Sequence, residues 1–389
     1  MKQVLFVSNG AGEDAIASLI IRHLPEFEIH ALPLVGEGAG YPASARRLGK
    51  SRRLPSEGLL RESLGGVVRD LAAGLPLYHL GQLRLLRRIR RDYALTVAVG
   101  DLFPVAMAGL AGHRPLLFVG TAKSIWHHRY SRGERAALRT FADFVLARDD
   151  PTAQVLRQAG IPAAWVGNAM MDELESTGLF RLEPGEQGIA VFPGSREAAY
   201  RELPRQLEVY RRLLARGNPI RAMVAVARSV DVERLARSCT GWRYRARSES
   251  LGVVGELERT EAPAVPLVRG ALGDVLQHAT VALGQAGTAN EQAAGLGVPV
   301  VACAPGGESH LGWYRGRQKG LLGEAVVVVE EDLEALVEAV ERLVRDPEER
   351  RRRGAVGRRR MGPAGGGKRM AAVIAQMAEE LPIRPETPA

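Results

Sequence analysis

The chain has 389 residues, 46% of them hydrophobic and 25% charged, which excludes a disordered or fibrous polymer and calls for two globular domains. Its formal net charge of +9 comes without an RNA-binding aromatic strand or zinc-finger spacing, so no nucleic-acid partner is expected. No run of about 18 uncharged apolar residues occurs, which excludes a membrane-spanning helix.

The first apolar run, VLFVSN (4–9), is too short for a signal peptide and breaks at once into Gly and acidic residues. It reads as a buried first strand. IHALPLV (29–35), LTVAVG (95–100), PLLFVG (115–120) and FVLA (144–147) continue the series as buried parallel strands, with helical patterns at 14–23 and 134–142. Ahead of the third strand, PLYHLGQLRLLRRIRR (76–91) spaces Leu80, Leu83, Leu86 and Ile89 three apart, flanked by Arg84, Arg87, Arg88 and Arg91. Such a stripe belongs to a core helix or to a face that docks on an anionic membrane surface.

LESTGLFRLEPGEQG (174–188) is polar, carries Pro and Gly, and reads as a linker. A second strand series follows: IAVFPG (189–194), IRAMVAVA (220–227), APAVPLV (262–268), TVALG (280–284), VPVVACA (298–304) and AVVVV (325–329). Helical patterns fall at 200–216, 270–278 and 289–296. Beyond 330, DLEALVEAVERLV is helical, arginines crowd 350–360, and KRMAAVIAQMAEEL supplies a closing helix over about 368–381. The Pro-rich tail, 382–389, reads as disordered. The repeated βαβ rhythm predicts an α/β fold built from two doubly wound parallel sheets. Cys239 and Cys303 stand far apart without CxxC spacing, as in a protein of the reducing cytoplasm.

Four loops carry candidate chemistry. SNGAGED (8–14) follows the first strand, and Gly10 and Gly12 there allow a tight turn and close approach to a substrate. Glu13 ends this loop and is either a site residue or an acid favoured in a helix's first turn. Asp101 stands at the carboxyl end of a strand in VGDLFP (99–104), as a general base for an attacking hydroxyl or as a helix N-cap. In FPGSRE (192–197), Gly194 and Ser195 expose amides and Arg196 can pair with phosphate oxygens. In GQAGTANE (284–291), Gly287, Thr288 and Ala289 form an anion cradle at a helix start, and Glu291 suits the two ribose hydroxyls of a nucleotide. Gln318 adds a polar contact, and a Gly-rich loop (304–307) follows the strand at 298–304. His127 and His128, with Lys123 and Arg129, cluster in one loop as substrate contacts or as an exposed polar turn. The eight histidines show no HExxH or similar spacing, so neither metal nor other cofactor is expected.

The ordered set AGED, VGNAMMD (166–172), FPGSRE and AGTANEQAAGLGVPVV resembles lipid-A-disaccharide synthase, and more closely a related group whose first loop reads SNGxGED. The resemblance runs from about residue 4 to 305. It implies a GT-B fold: an acceptor-side domain over 1–173, a nucleotide-sugar domain over 189–367, a cleft between them, and the closing helix crossing back to the first domain. It also implies metal-free, inverting transfer of a sugar from a UDP donor to a lipid or lipid-linked acceptor. Asp101 then matches the family's essential carboxylate, Arg196 its PGSR arginine, Glu13 its loop glutamate and Glu291 its nucleotide-binding glutamate. Asn168 stands where the family has His, and the family's DAPDF pattern is absent around Asp101. PGGESHLGWYRGRQKG (305–320) is closer to the sugar-nucleotide loop of the peptidoglycan N-acetylglucosaminyltransferase. Expected on this reading is a cytoplasmic enzyme, peripheral on the inner face of the cytoplasmic membrane. A sugar-nucleotide epimerase and a non-catalytic nucleotide-sugar-binding protein are the alternatives.

Overall fold

The computed structural model describes residues 1–49, 75–247, 252–304, 309–330 and 332–380. The tail at 382–389, the Gly-rich stretch at 305–308 and the side chain of Pro76 lie outside the described residues. The chain divides into two compact units, Met1–Asp172 with the chain from Ala364 onward, and Glu173–Pro363.

The first unit is built on a parallel sheet of β1 (Gln3–Ser8), β2 (Glu28–Pro33), β3 (Arg46–Arg47), β4 (Leu95–Gly100), β5 (Leu116–Gly120), β6 (Phe144–Leu146) and β7 (Ala163–Ala164). Their order across the sheet is β3-β2-β1-β4-β5-β6-β7. Alternation along β1 explains the layering, since successive side chains point to opposite faces. Val4 and Phe6 pack with Ala17, Ile20, Met370 and Ile374 on one side. Leu5 and Val7 pack with Leu86 and Met107 on the other. The covering helices are α1 (Ala11–Ile21), α2 (Leu75–Ile89), α3 (Leu102–Ala111), α4 (Arg132–Phe141), α5 (Asp150–Gln158) and the last helix, Gly366–Glu380.

The predicted apolar stripe of 76–91 splits between two faces of α2. Leu86 is fully buried, and Leu83 and Ile89 pack against the same cluster, as a core helix requires. Leu80 is 41% exposed and Leu77 is 77% exposed, so the outward face keeps apolar residues beside the exposed arginines. Asp172 ends the first pass through this unit. Its carboxylate accepts from the amides of Gly365 (2.6 Å), Gly366 (3.1 Å) and Gly367 (2.8 Å), capping the last helix.

The second unit carries β8 (Gln187–Phe192), β9 (Ile220–Ala225), β10 (Arg243–Ala246), β11 (Gly252–Arg259), β12 (Ala262–Arg269), β13 (Ala279–Gly284), β14 (Val300–Ala304) and β15 (Val326–Glu330). Their order is β10-β11-β12-β9-β8-β13-β14-β15. β10, β11 and β12 run antiparallel, whereas the other pairings are parallel. Its helices are α6 (Ala199–Ala215), α7 (Val232–Ser238), α8 (Leu272–Gln277), α9 (Thr288–Leu296), α10 (Ser309–Leu322), α11 (Leu333–Arg345) and α12 (Pro347–Met361), which makes the last helix of the chain α13.

Residues 176–179, within the expected linker 174–188, are hydrogen-bonded into this unit. The buried Asp274 of α8 accepts from the Thr177 amide at 2.8 Å, the Leu179 amide at 3.0 Å and the Ser176 hydroxyl at 2.9 Å. Burial alone would raise its proton affinity, but these bonds outweigh it and hold the carboxyl below its ordinary range.

Two arginines of α12 reach helix ends. Arg350 donates to the carbonyls of Leu343 (2.6 Å) and Val344 (2.7 Å) at the end of α11, and Arg358 to Leu296 (3.2 Å) at the end of α9. Unsatisfied carbonyls and the negative end of the helix dipole favour cations there. Among the described residues no helix is long and apolar enough to cross a membrane.

Candidate functional site

In an open parallel sheet, ligand sites form outside the carboxyl ends of strands where the chain reverses its direction of travel across the sheet. In the first unit that point lies between β1 and β4. The loop after β1 carries Asn9 and Gly10, the first turn of α1 carries Gly12 and Glu13, and the loop after β4 carries Asp101.

Asp101 caps α3, with its Oδ1 accepting from the Phe103 amide at 2.9 Å and from the Asn9 side-chain amide at 3.3 Å. No hydrogen bond from a described residue reaches Oδ2. The cap and general-base readings are therefore compatible, because one oxygen is anchored and the other is open. Glu13 lies on the same edge. A Cβ at Gly100 would stand 2.8 Å from Glu13 Cγ, and one at Gly10 would stand 2.8 Å from Glu13 Oε2. Only glycine lets the glutamate fold down between the two loops. Gly12 is different: nothing lies within 4 Å of where its Cβ would be, so its absence of a side chain leaves the loop face open.

Behind this loop is a buried chain of hydroxyls that the sequence reading did not single out. Tyr41 Oη donates to Ser8 Oγ at 2.7 Å, and Ser8 Oγ donates to Asp14 Oδ1 at 2.5 Å. Burial pushes the Asp14 carboxyl up to about 6, against the lowering effect of the Ser8 bond.

His127 and His128 stand in the loop after β5, the strand next to β4. Reciprocal backbone bonds between Ser124 and His127 (3.1 and 3.0 Å) make a tight turn, and the two imidazole rings are 3.9 Å apart. Lys123 of the same loop is committed to Glu134, 2.7 Å away. The hydroxyl of Tyr130 sits over the end of β5, where a Cβ at Gly120 would lie 2.7 Å from it. Asn168 is buried after β7, and its Oδ1 accepts from the Met170 amide at 3.1 Å to cap a short turn.

In the second unit the reversal falls between β8 and β13, and the two loops there are those of FPGSRE and GQAGTANE. They touch through backbone: the Gln285 amide donates to Phe192 O at 2.8 Å, and a Cβ at Gly194 would lie 3.7 Å from Gln285 O. The Ser195 carbonyl accepts from the Ser229 hydroxyl at 2.8 Å, and Arg196 is exposed. Gly287, at the N-cap, has no side chain to cap α9, and among the described residues no side chain bonds the amides of Thr288 and Ala289 at the helix's positive end. Glu291 is buried in that first turn.

Gln318 does not reach outward as a polar contact would. It is buried, and its amide is bonded to the loop itself and to Asn290. Gln206 is a further buried brace: its Nε2 lies 3.2 Å from both Phe192 O and Leu283 O, tying the ends of β8 and β13. Its spacing from Leu203, Leu207 and Tyr210 marks it as the one polar residue on a buried helical stripe. Among the described residues no group of three or more His, Cys, Asp or Glu side chains is placed to hold a metal ion.

No family model matches the chain. In sequence it is 24% identical over 231 residues to lipid-A-disaccharide synthase of Syntrophus aciditrophicus (strain SB), a match over 56% of this chain and 53% of that protein. The chain thus spans about half the length of the curated relative it matches. In fold it is similar to the calicheamicin glycosyltransferase CalG4, with a TM-score of 0.62 at 16% identity over 98% of this chain and 99% of that one. It is also similar to a UDP-N-acetylglucosamine 2-epimerase, with a TM-score of 0.58 at 14% identity over 100% and 99%. The UDP-GlcNAc 2-epimerase of Neisseria meningitidis, solved with UDP-GlcNAc bound, gives 0.54 at 12% identity over 96% and 100%. The chain therefore has the two-domain, Rossmann-like GT-B fold, and in sequence it is related to lipid-A-disaccharide synthase.

Proposed function

We propose that the protein is a glycosyltransferase that moves a sugar from a nucleoside-diphosphate donor, a UDP-sugar, to a lipid or lipid-linked acceptor. One observation carries the reading: in each unit the reversal point of the sheet falls on the loops whose residue types suit this chemistry. The donor diphosphate is proposed to lie across Gly194, Ser195 and Arg196 on one side and Gly287, Thr288 and Ala289 on the other. A guanidinium forks onto two phosphate oxygens, and open helix amides add donors to the same anion. Glu291 is proposed to accept from the ribose hydroxyls.

Asp101 is the proposed base. Its anchored Oδ1 orients Oδ2 to take the acceptor hydroxyl's proton as that oxygen attacks the anomeric carbon. A single displacement breaks the bond to the diphosphate and inverts the anomeric centre. Negative charge growing on the leaving diphosphate is met by Arg196 and the amides, which supports transfer without a metal. Glu13 is the second carboxylate of this edge, and His127 and His128 are proposed acceptor-side contacts. A lipid acceptor places the work at a membrane surface, with the outward face of α2 as the docking face.

Asp101→Asn is nearly isosteric and keeps the cap but is a far poorer base. Turnover is expected to fall by on the order of 10²-fold while UDP binding measured by calorimetry persists. Near-normal turnover of the variant would move the base role to Glu13. The solved epimerases of the same fold favour a second reading, inversion of a sugar carbon within the nucleotide sugar, with Asp101, Glu13 and the histidine pair as acid–base groups. The two separate on UDP-GlcNAc alone. A new sugar nucleotide formed without acceptor marks an epimerase, and UDP release that requires acceptor marks a transferase.

A further inference from the structure

Gln318 lies on α10, is only 2% exposed, and spends its whole amide inside the second unit. Its Nε2 donates to the carbonyls of Ala286 (2.9 Å) and Gly287 (3.2 Å). Its Oε1 accepts from Asn290 Nδ2 at 3.0 Å, and the same nitrogen lies 3.3 Å from Gly284 O. The orientations are mutually enforced. Between two acceptor oxygens only the NH2 end of Asn290 fits, so Gln318 must present its oxygen to Asn290 and its NH2 to the loop.

Peptide geometry converts this into a statement about the loop. The peptides after Ala286 and Gly287 are trans. In a trans peptide the C=O and the following N–H point in opposite directions. Drawing the Ala286 and Gly287 carbonyls toward Gln318 therefore turns the N–H groups of Gly287 and Thr288 away from it. We infer that Gln318 is a positioning residue for a nucleoside-diphosphate ligand: it touches no part of that ligand, but, held by Asn290, it aims the amides that do. The inference rests on the donor site proposed above and changes Gln318 from a contact into the brace behind one.

Two substitutions test it by different routes. Gln318→Glu sets a carboxylate against two carbonyls. Asn290→Asp draws the Gln318 NH2 toward residue 290 and turns its oxygen onto the same carbonyls. Both are expected to weaken UDP and inorganic pyrophosphate by about tenfold or more in calorimetry and to leave uridine unchanged. The double variant should be little worse than either single one, because both break one linkage. Equal weakening of uridine, unchanged UDP affinity, or fully additive losses would each overturn the brace.

Binding of no nucleotide by the unaltered protein would sink the functional reading instead. The brace is then still read from hydrogen exchange. The Glu291 amide, which donates to Gly287 O at 3.2 Å, should exchange about tenfold faster in Gln318→Glu than in the parent, and equal rates would end the proposal.

Discussion

The Asp14 carboxylate, in the same first turn of α1 as Glu13, shares one buried network with Ser8 and Tyr41. Its pKa is raised to about 6 by burial, so the folded state holds this proton more tightly than the unfolded chain. The stability it contributes is complete below the unfolded value near 3.8 and is lost as pH rises through about 6. Asp14→Asn copies the protonated form. Its thermal midpoint should match the parent near pH 4 and exceed it at pH 8, by the equivalent of about 2 kcal/mol. A gap that stays constant with pH would show that the ionised carboxylate costs nothing there. The sequence contained half of this. Asp14 shares a helical face with Ala17 and Ile21, so its burial was legible from spacing, as was that of Gln206 among Leu203, Leu207 and Tyr210. What spacing cannot show is the partner, because Tyr41, Phe192 and Leu283 reach these residues only through the fold.

At the scale of elements, the strands buried on both faces were the most legible. β4 and β5 fall where continuous apolar runs put them, and every residue of both is buried. β10 and β11 were not visible. Their partly exposed faces carry Arg243, Arg245, Glu256 and Glu258 in cross-strand ion pairs, which erases the apolar signal. The charged helices divide by what their arginines meet. On α12, Arg350, Arg353 and Arg358 are tied to carbonyls, Arg352 to Glu324 and Arg353 to Glu349, while Arg359 is exposed. On α2, Leu77, Leu80, Arg84 and Arg87 follow at helical spacing on the exposed side. Each such arginine near an anionic lipid surface contributes roughly 1 kcal/mol, and the two leucines add insertion. Binding to phosphatidylglycerol vesicles should therefore fall with salt and weaken when Arg84, Arg87, Arg88 and Arg91 become Gln. Indifference to such vesicles at low salt would favour a soluble acceptor.

Across the whole molecule, the two parallel-dominated sheets followed from the order of apolar runs. The return of α13 to the first unit did not follow from its own residues. Met370, Ala371 and Ile374 show that the helix is amphipathic, but the covered face belongs to the start of the chain. Asp172 holds that return with three amide bonds at the head of α13. Asp172→Ala should lower stability by about 1–2 kcal/mol and speed proteolysis of residues 364–380 ahead of global unfolding. Cleavage no faster than in the parent would show that apolar packing alone retains the helix.

The same closure orders events at the ribosome. Residues 173–363 are synthesised between Asp172 and the glycines it caps. Until then the first unit lacks Met370 and Ile374 over Val4, Phe6 and Ile20, and only α1 covers that part of the sheet face. The unit whose strands are made first is thus the last to be finished.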